Sequence, residues 1–160
     1  MAIREIMKMG DDVLRKKSRK VTAFDHRLHQ LLDDLRDTLE QADGVGLASP
    51  QVGILKRVIV IRIGDQFVDF VNPEIIRTEG EQRELEGCLS IPGKWGITKR
   101  PSKVTIRAQD RNGKFFEKTD EGLIARAFCH ETDHLDGVLY IDHALRLLTP
   151  EELEREQSGN

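Results

Sequence analysis

The 160-residue sequence is poor in aromatic residues, with one tryptophan and one tyrosine, and it holds only two cysteines. Cys88 and Cys129 are too few for a disulfide framework, and in an intracellular chain thiols more often stay reduced than pair. Long apolar runs are missing too. A stretch such as Val58 to Ile61 falls far short of the roughly 20 residues that a membrane-spanning helix needs. Residues 1–20 carry charges where a secretion signal needs an apolar centre, so a cytoplasmic location without membrane contact is expected. Massed positive charge is also absent: 25 Lys and Arg are scattered among 28 Asp and Glu, for a formal net charge of −3. Direct binding to RNA or DNA is therefore disfavoured. There are no repeats or low-complexity tracts, and the length fits one domain over residues 1–160 with a sizeable core.

What is present is strong periodicity. Phe24, Leu28, Leu31, Leu32, Leu35 and Leu39 step by three and four, which predicts an amphipathic helix capped by Thr22 or Asp25 and stopped at Gly44. Val58 to Ile61 reads as a buried strand, Gly64-Asp65 as a turn and Phe67 to Val71 as the next strand, interrupted by Asn72-Pro73. Glu74 to Thr78 and Gln82 to Leu85 are weaker strand candidates. Val104, Ile106 and Ala108 alternate with polar residues before an Asn112-Gly113 turn and a partner strand at Lys114 to Lys118. A helix from Glu121 to Asp136 follows, with Asp120 as its cap, Leu123, Ile124, Ala127 and Phe128 inward and Gly137 as its stop. Thr149-Pro150-Glu151-Glu152 is a capping box that starts a short polar helix, fraying by Gly159. Grouped strands between helices predict an α+β fold with mainly antiparallel sheet.

The second long helix carries His130-Glu131-Thr132-Asp133-His134. Residues four apart share one helix face, so both imidazoles can hold one metal ion while Glu131 reaches the water beside it. That pattern is the hardware of metal-assisted hydrolysis, although two histidines and a glutamate on a helix can also be surface decoration.

Two further blocks, Gly44-Val45-Gly46-Leu47-Ala48-Ser49-Pro50-Gln51 and Glu86-Gly87-Cys88-Leu89-Ser90, lie upstream. With the histidine motif they resemble the peptide deformylases in order and spacing, over Arg4 to about Leu148. Ser49 departs from the family's usual alanine, a small change in size. The resemblance implies sheets around a central helix carrying the H-E-x-D-H metal motif. It also implies removal of the formyl group from the formylmethionine of nascent polypeptides, with release of formate.

Residue by residue, the resemblance makes Cys88 the third metal ligand beside His130 and His134, and Glu131 the general base and acid. It gives Gln51 and the backbone N–H of Leu89 the oxyanion, and Val45, Leu123, Ala127 and the face of His130 the methionine side chain. Gly44 and Gly46 are expected to let backbone approach the substrate, and Arg126 to turn its guanidinium outward. Glu86 and Asp133 are candidates to orient the ligating histidines, with Arg100 pairing with Asp133. Cys129 keeps the reading of a buried thiol. A His2Cys set with an open position suits zinc by affinity, whereas the resemblance implies Fe(II), with zinc, nickel or cobalt as alternatives.

One divalent ion per chain and N-formylmethionyl nascent peptides are thus the expected cofactor and partner, with ribosome contact at most transient. A zinc peptidase would account for His130, Glu131 and His134 but not for the other two blocks. A non-catalytic descendant would have no need of the intact set.

Overall fold

A computed structural model describes residues 2–158. Strands β1 (Gly46–Ala48), β2 (Val58–Ile63), β3 (Gln66–Glu79), β6 (Lys103–Gln109) and β7 (Phe115–Glu121) form one antiparallel sheet in the order β1-β2-β3-β6-β7. A second antiparallel sheet joins β4 (Gln82–Cys88), β5 (Ile91–Arg100) and β8 (Arg146–Leu147). Helices α1 (His26–Ala42) and α2 (Gly122–Leu135) and the short α3 (Pro150–Ser158) complete an α+β fold.

The strand β2 explains how the layers stack. Successive side chains of a strand point to opposite faces, and all four of Val58, Ile59, Val60 and Ile61 are buried. Val58 and Val60 pack with Leu28, Leu31, Leu32, Leu35 and Leu39 of α1. Ile59 and Ile61 pack with Ala125, Ala127, Phe128 and Leu135 of α2. One strand therefore serves two cores, and truncating Leu35, which has no exposed surface, to alanine would cost about 2–5 kcal/mol. Helix α2 lies between the two sheets, since Arg100 of β5, Glu86 of β4 and the Leu85 carbonyl all bond to it from the side away from β2.

Several local expectations need correction. Asp25 caps α1, accepting the Leu28 N–H, but the left-handed residue that ends the helix is Asp43 (φ 54°), not Gly44. Asn72-Pro73 does not break β3. Asn72 takes φ 51° in a bulge, and its amide exchanges hydrogen bonds with the backbone of Val21 and donates to Gln109, so the strand continues. Strand β5 escapes the alternation rule because Pro92, Gly93, Lys94 and Gly96 interrupt its apolar pattern.

Asp120 and Glu121 pair with Val104 and Lys103 in the sheet, which delays α2 to Gly122. Leu123, on the first turn of α2, is 52% exposed instead of inward. Gly137 stands just past the end of α2 at φ 75°, where a Cβ would lie 2.6 Å from the Arg15 carbonyl oxygen, so only glycine fits. Thr149 and Glu152 form the expected capping box at α3. The predicted fraying at Gly159 lies outside the described residues.

Candidate active site

The histidine pair stands on α2, one turn apart, with ring centroids 5.0 Å from each other. Cys88 comes from the end of β4, 42 residues earlier, where the chain leaves the sheet. Ligand atoms of Cys88, His130 and His134 all lie within 4.8 Å of one another, and Cys88 Sγ is 3.4 Å from His134 Nε2. One thiolate and two imidazoles so close together fit a divalent ion of the zinc or late transition-metal type and leave a coordination position open.

His130 is fixed from behind, whereas His134 Nδ1 is buried with no hydrogen-bond partner among the described residues. His130 Nδ1 meets Glu86, which leaves Nε2 for the cluster. Glu86 accepts hydrogen bonds from Thr98 Oγ1 (2.7 Å) and from Arg100 (2.9 Å), and Arg100 reaches Asp133 at 2.8 Å. Burial opposes ionisation of Glu86, but the bonds from His130 and Arg100 outweigh it and hold the carboxyl well below the usual carboxylate range. Asp133 does not orient a ligating histidine, as expected of it; its carboxylate turns to Arg100, with His143 3.8 Å away. His134 is driven toward its neutral form by burial and by neighbouring His130.

Glu131 is buried beside these groups, and its Oε1 has no hydrogen-bond partner among the described residues. Burial pushes its carboxyl up to about 7, against the attraction of His130 and with help from Glu86 and Asp133. A cation held nearby would draw that value back down. Room for Glu131 comes from Gly46, because a Cβ there would lie 2.8 Å from Glu131 Cγ. The expected role of Gly46 in approaching a substrate thus gains a second tenant, and Gly44 faces Leu89 and Leu39 in the same way.

Gln51 lies in the 3-10 turn Ser49–Val52 after β1. Its Oε1 accepts the Ala48 N–H, which turns Nε2 toward Ser90 Oγ (3.1 Å) and Cys88 Sγ (3.7 Å). Ser49 is fully buried, and its hydroxyl donates to the Ile54 carbonyl, so the departure from alanine leaves no polar atom unmet. Cys129 is buried in the core behind α2, and burial raises its thiol to about 11.

A cleft of about 470 Å³ opens onto this cluster. Val45, Gly46, Leu123 and Ala127 line it together with Gln51, Cys88, Leu89, His130 and Glu131, so the predicted residues meet in one place. Arg126 departs from expectation. It does not turn outward but lines the cleft half-buried and donates to the Leu85 carbonyl at 2.7 Å. Reading the sequence also missed Ser90, Thr98 and Trp95. Ser90 closes the Glu86-Gly87-Cys88-Leu89-Ser90 block, while Thr98 and Trp95 sit on the strand whose pattern is broken by glycines.

A family model described as polypeptide deformylase matches residues 3–149. A peptide deformylase of Caldicellulosiruptor bescii is 53% identical over 99% of this chain and 95% of its own length, and one of Acetivibrio thermocellus is 50% identical over 99% and 94%. The crystal structure of a Legionella pneumophila peptide deformylase superposes with a TM-score of 0.86 at 40% identity, covering 99% of both chains. That of the Thermotoga maritima enzyme gives 0.87 at 39% identity over 90% of this chain and 99% of its own. With the motifs gathered in one cleft and the likeness running over nearly the whole length, the chain belongs to the peptide deformylase family, enzymes that remove the N-formyl group from nascent peptides.

Proposed function

We propose that this protein hydrolyses the formyl group of N-formylmethionyl peptides with Glu131 as proton carrier and with Cys88, His130 and His134 holding one divalent ion, Fe(II) in the cell. The observation that carries this reading is the meeting of three ligand atoms within 4.8 Å beside a buried carboxylate whose Oε1 is unpartnered among the described residues. When bound, the ion supplies Lewis acidity, polarising the formyl carbonyl and favouring ionisation of a water near neutral pH.

The chain's own residues do the rest. Glu131 takes the proton of the attacking water and passes it to the departing amine, a task suited to a buried carboxyl whose Oε1 meets no hydrogen-bond partner among the described residues. Negative charge growing on the formyl oxygen requires donors aimed at it. Gln51 Nε2, oriented through the bond between its Oε1 and Ala48, and the backbone N–H of Leu89 fill that role. The methionine side chain enters between Val45, Gly46, Leu123 and Ala127, with the stem of Arg126 adding apolar surface. Glu86 holds His130 in the tautomer that presents Nε2, and Arg100 with Asp133 anchors Glu86 in turn.

The reaction takes place in the cytoplasm as chains leave the ribosome, through contact no more than transient. Among the described residues no helix is long and apolar enough to cross a membrane. The test is formate release by metal-replete protein from formyl-Met-Ala-Ser, with acetyl-Met-Ala-Ser and Met-Ala-Ser as controls. Turnover of the formyl peptide alone is expected. Cleavage of peptide bonds would favour a zinc peptidase, and no formate at all would favour a non-catalytic binding domain.

A further inference from the structure

The chain's one tryptophan belongs to no buried core. Trp95 is half-buried in β5, outside the three hydrophobic clusters, and it lines the cleft together with Pro92, Gly93 and Lys94. Its six-membered ring lies against Gly87, so close that a Cβ on that residue would fall 2.6–3.0 Å from three ring atoms. Gly87 precedes Cys88 directly, which sets the indole beside the reacting end of the cleft. The backbone that carries the ring is held in its turn, since the Trp95 carbonyl accepts the Leu148 N–H. A large aromatic surface that rests on Gly87 before a ligand arrives, and is not used up by the core, offers apolar groups contact area at low entropic cost.

Resting on the reading above, we infer that Trp95 is a specificity-determining residue for the peptide beyond its methionine. With formylmethionine directed inward between Val45, Leu123 and Ala127, the following side chain passes the lip that carries Trp95. An aromatic or bulky apolar second residue gains contact with the indole, whereas serine does not. The bland alternative is that the ring merely shields the backbone of Gly87, as aromatic residues do opposite glycines in sheets. Shielding would affect every peptide alike, so a ratio between two peptides separates the two roles.

The experiment compares formate release from formyl-Met-Phe-Ser and formyl-Met-Ser-Ser by wild-type, Trp95→Phe and Trp95→Ala enzyme. Wild type is expected to favour the phenylalanine peptide by about five-fold in kcat/KM, the size of one aromatic contact. The preference should reside in KM, survive in Trp95→Phe and vanish in Trp95→Ala, with kcat on the serine peptide unchanged. Equal kcat/KM for the two peptides with wild type would overturn the inference even if Trp95→Ala fails to fold. So would a preference that persists in Trp95→Ala, or a uniform loss on both peptides. Absence of formate from either peptide with wild-type enzyme would instead reject the deformylase reading itself.

Discussion

Glu131 rests against the bare Cα of Gly46: a Cβ at that position would come within 2.8 Å of its Cγ, 2.9 Å of its Oε2 and 2.9 Å of Ile61 Cδ1. Gly46 carries no positive φ among the described backbone angles, so its need for glycine comes from crowding and not from conformation. Gly46→Ala is therefore expected to displace Glu131, because Ile61 is locked in the core and the carboxylate arm is the softer neighbour. A drop in kcat of about a hundred-fold, the cost of a misplacement near 1 Å, should accompany unchanged metal content. Full activity in the variant would show that Glu131 is not held by this contact.

Glu131→Gln and Cys88→Ser are expected to separate proton transfer from metal holding. The first variant keeps its ion and loses about 10²–10⁴-fold in turnover, because an amide cannot accept the proton. The second loses or exchanges its ion, because a hydroxyl is a harder and poorer ligand than a thiolate. Elemental analysis beside the formate assay reads both, and loss of metal from Glu131→Gln would reverse the assignment.

How far such roles can be read from sequence depends on whether they are local. The leucine stripe of α1 and the four-residue spacing of His130 and His134 are written in neighbouring residues, and periodicity alone finds them. Cys88 is not. Its place beside His134 depends on β4 ending where α2 passes, and only the likeness of its flanking residues to a known family pointed there. The lip formed by Trp95 was hidden for a related reason: Gly93 and Gly96 remove the alternation that marks a strand, while the glycine that accommodates the indole, Gly87, sits on another strand. Leu123 shows the limit of periodicity: it stands on the first turn of α2 at the mouth of the cleft, so an apolar residue on the helical period is exposed there instead of buried in the core.

If Fe(II) is the native ion, enzyme purified without oxygen should lose activity in air as iron or the Cys88 sulfur is oxidised, while nickel-loaded enzyme persists. Half-lives measured side by side decide this, and equal values would count against iron.

Asp34 gives the fold an acid-sensitive anchor. It accepts hydrogen bonds from Gln30, the Ala2 N–H and Arg4; burial works the other way, but these bonds prevail and lower its pKa. A carboxyl depressed in the folded state contributes stability that is complete above its unfolded value, about 4, and is lost as pH falls through the folded one. Denaturant titrations of wild type and Asp34→Asn at pH 7 and pH 3 are expected to show a smaller pH effect in the variant. An identical effect would remove Asp34 from the acid response.

Residues 151–160 hold four glutamates and one arginine, a charge that repels RNA. Deleting them removes the exposed Arg146–Glu152 pair and the cap at Thr149 but none of the residues lining the cleft. Peptide turnover and co-sedimentation with ribosomes at low salt should both stay near wild type. A salt-sensitive loss of sedimentation would make this segment a docking element.

The chain from Asp133 through Arg100 and Glu86 to His130 gives the metal-binding face a shape that the protein's own bonds maintain. His130 is set in place when the sheets close on α2, before any cation is bound. A thiolate and two imidazoles bind zinc more tightly than iron, so under the proposal that Fe(II) is the working ion, affinity alone selects the other metal. Under that proposal the ion found in a given preparation follows the divalent pool in which the protein was made, and catalytic power is set through metal supply as well as through the gene.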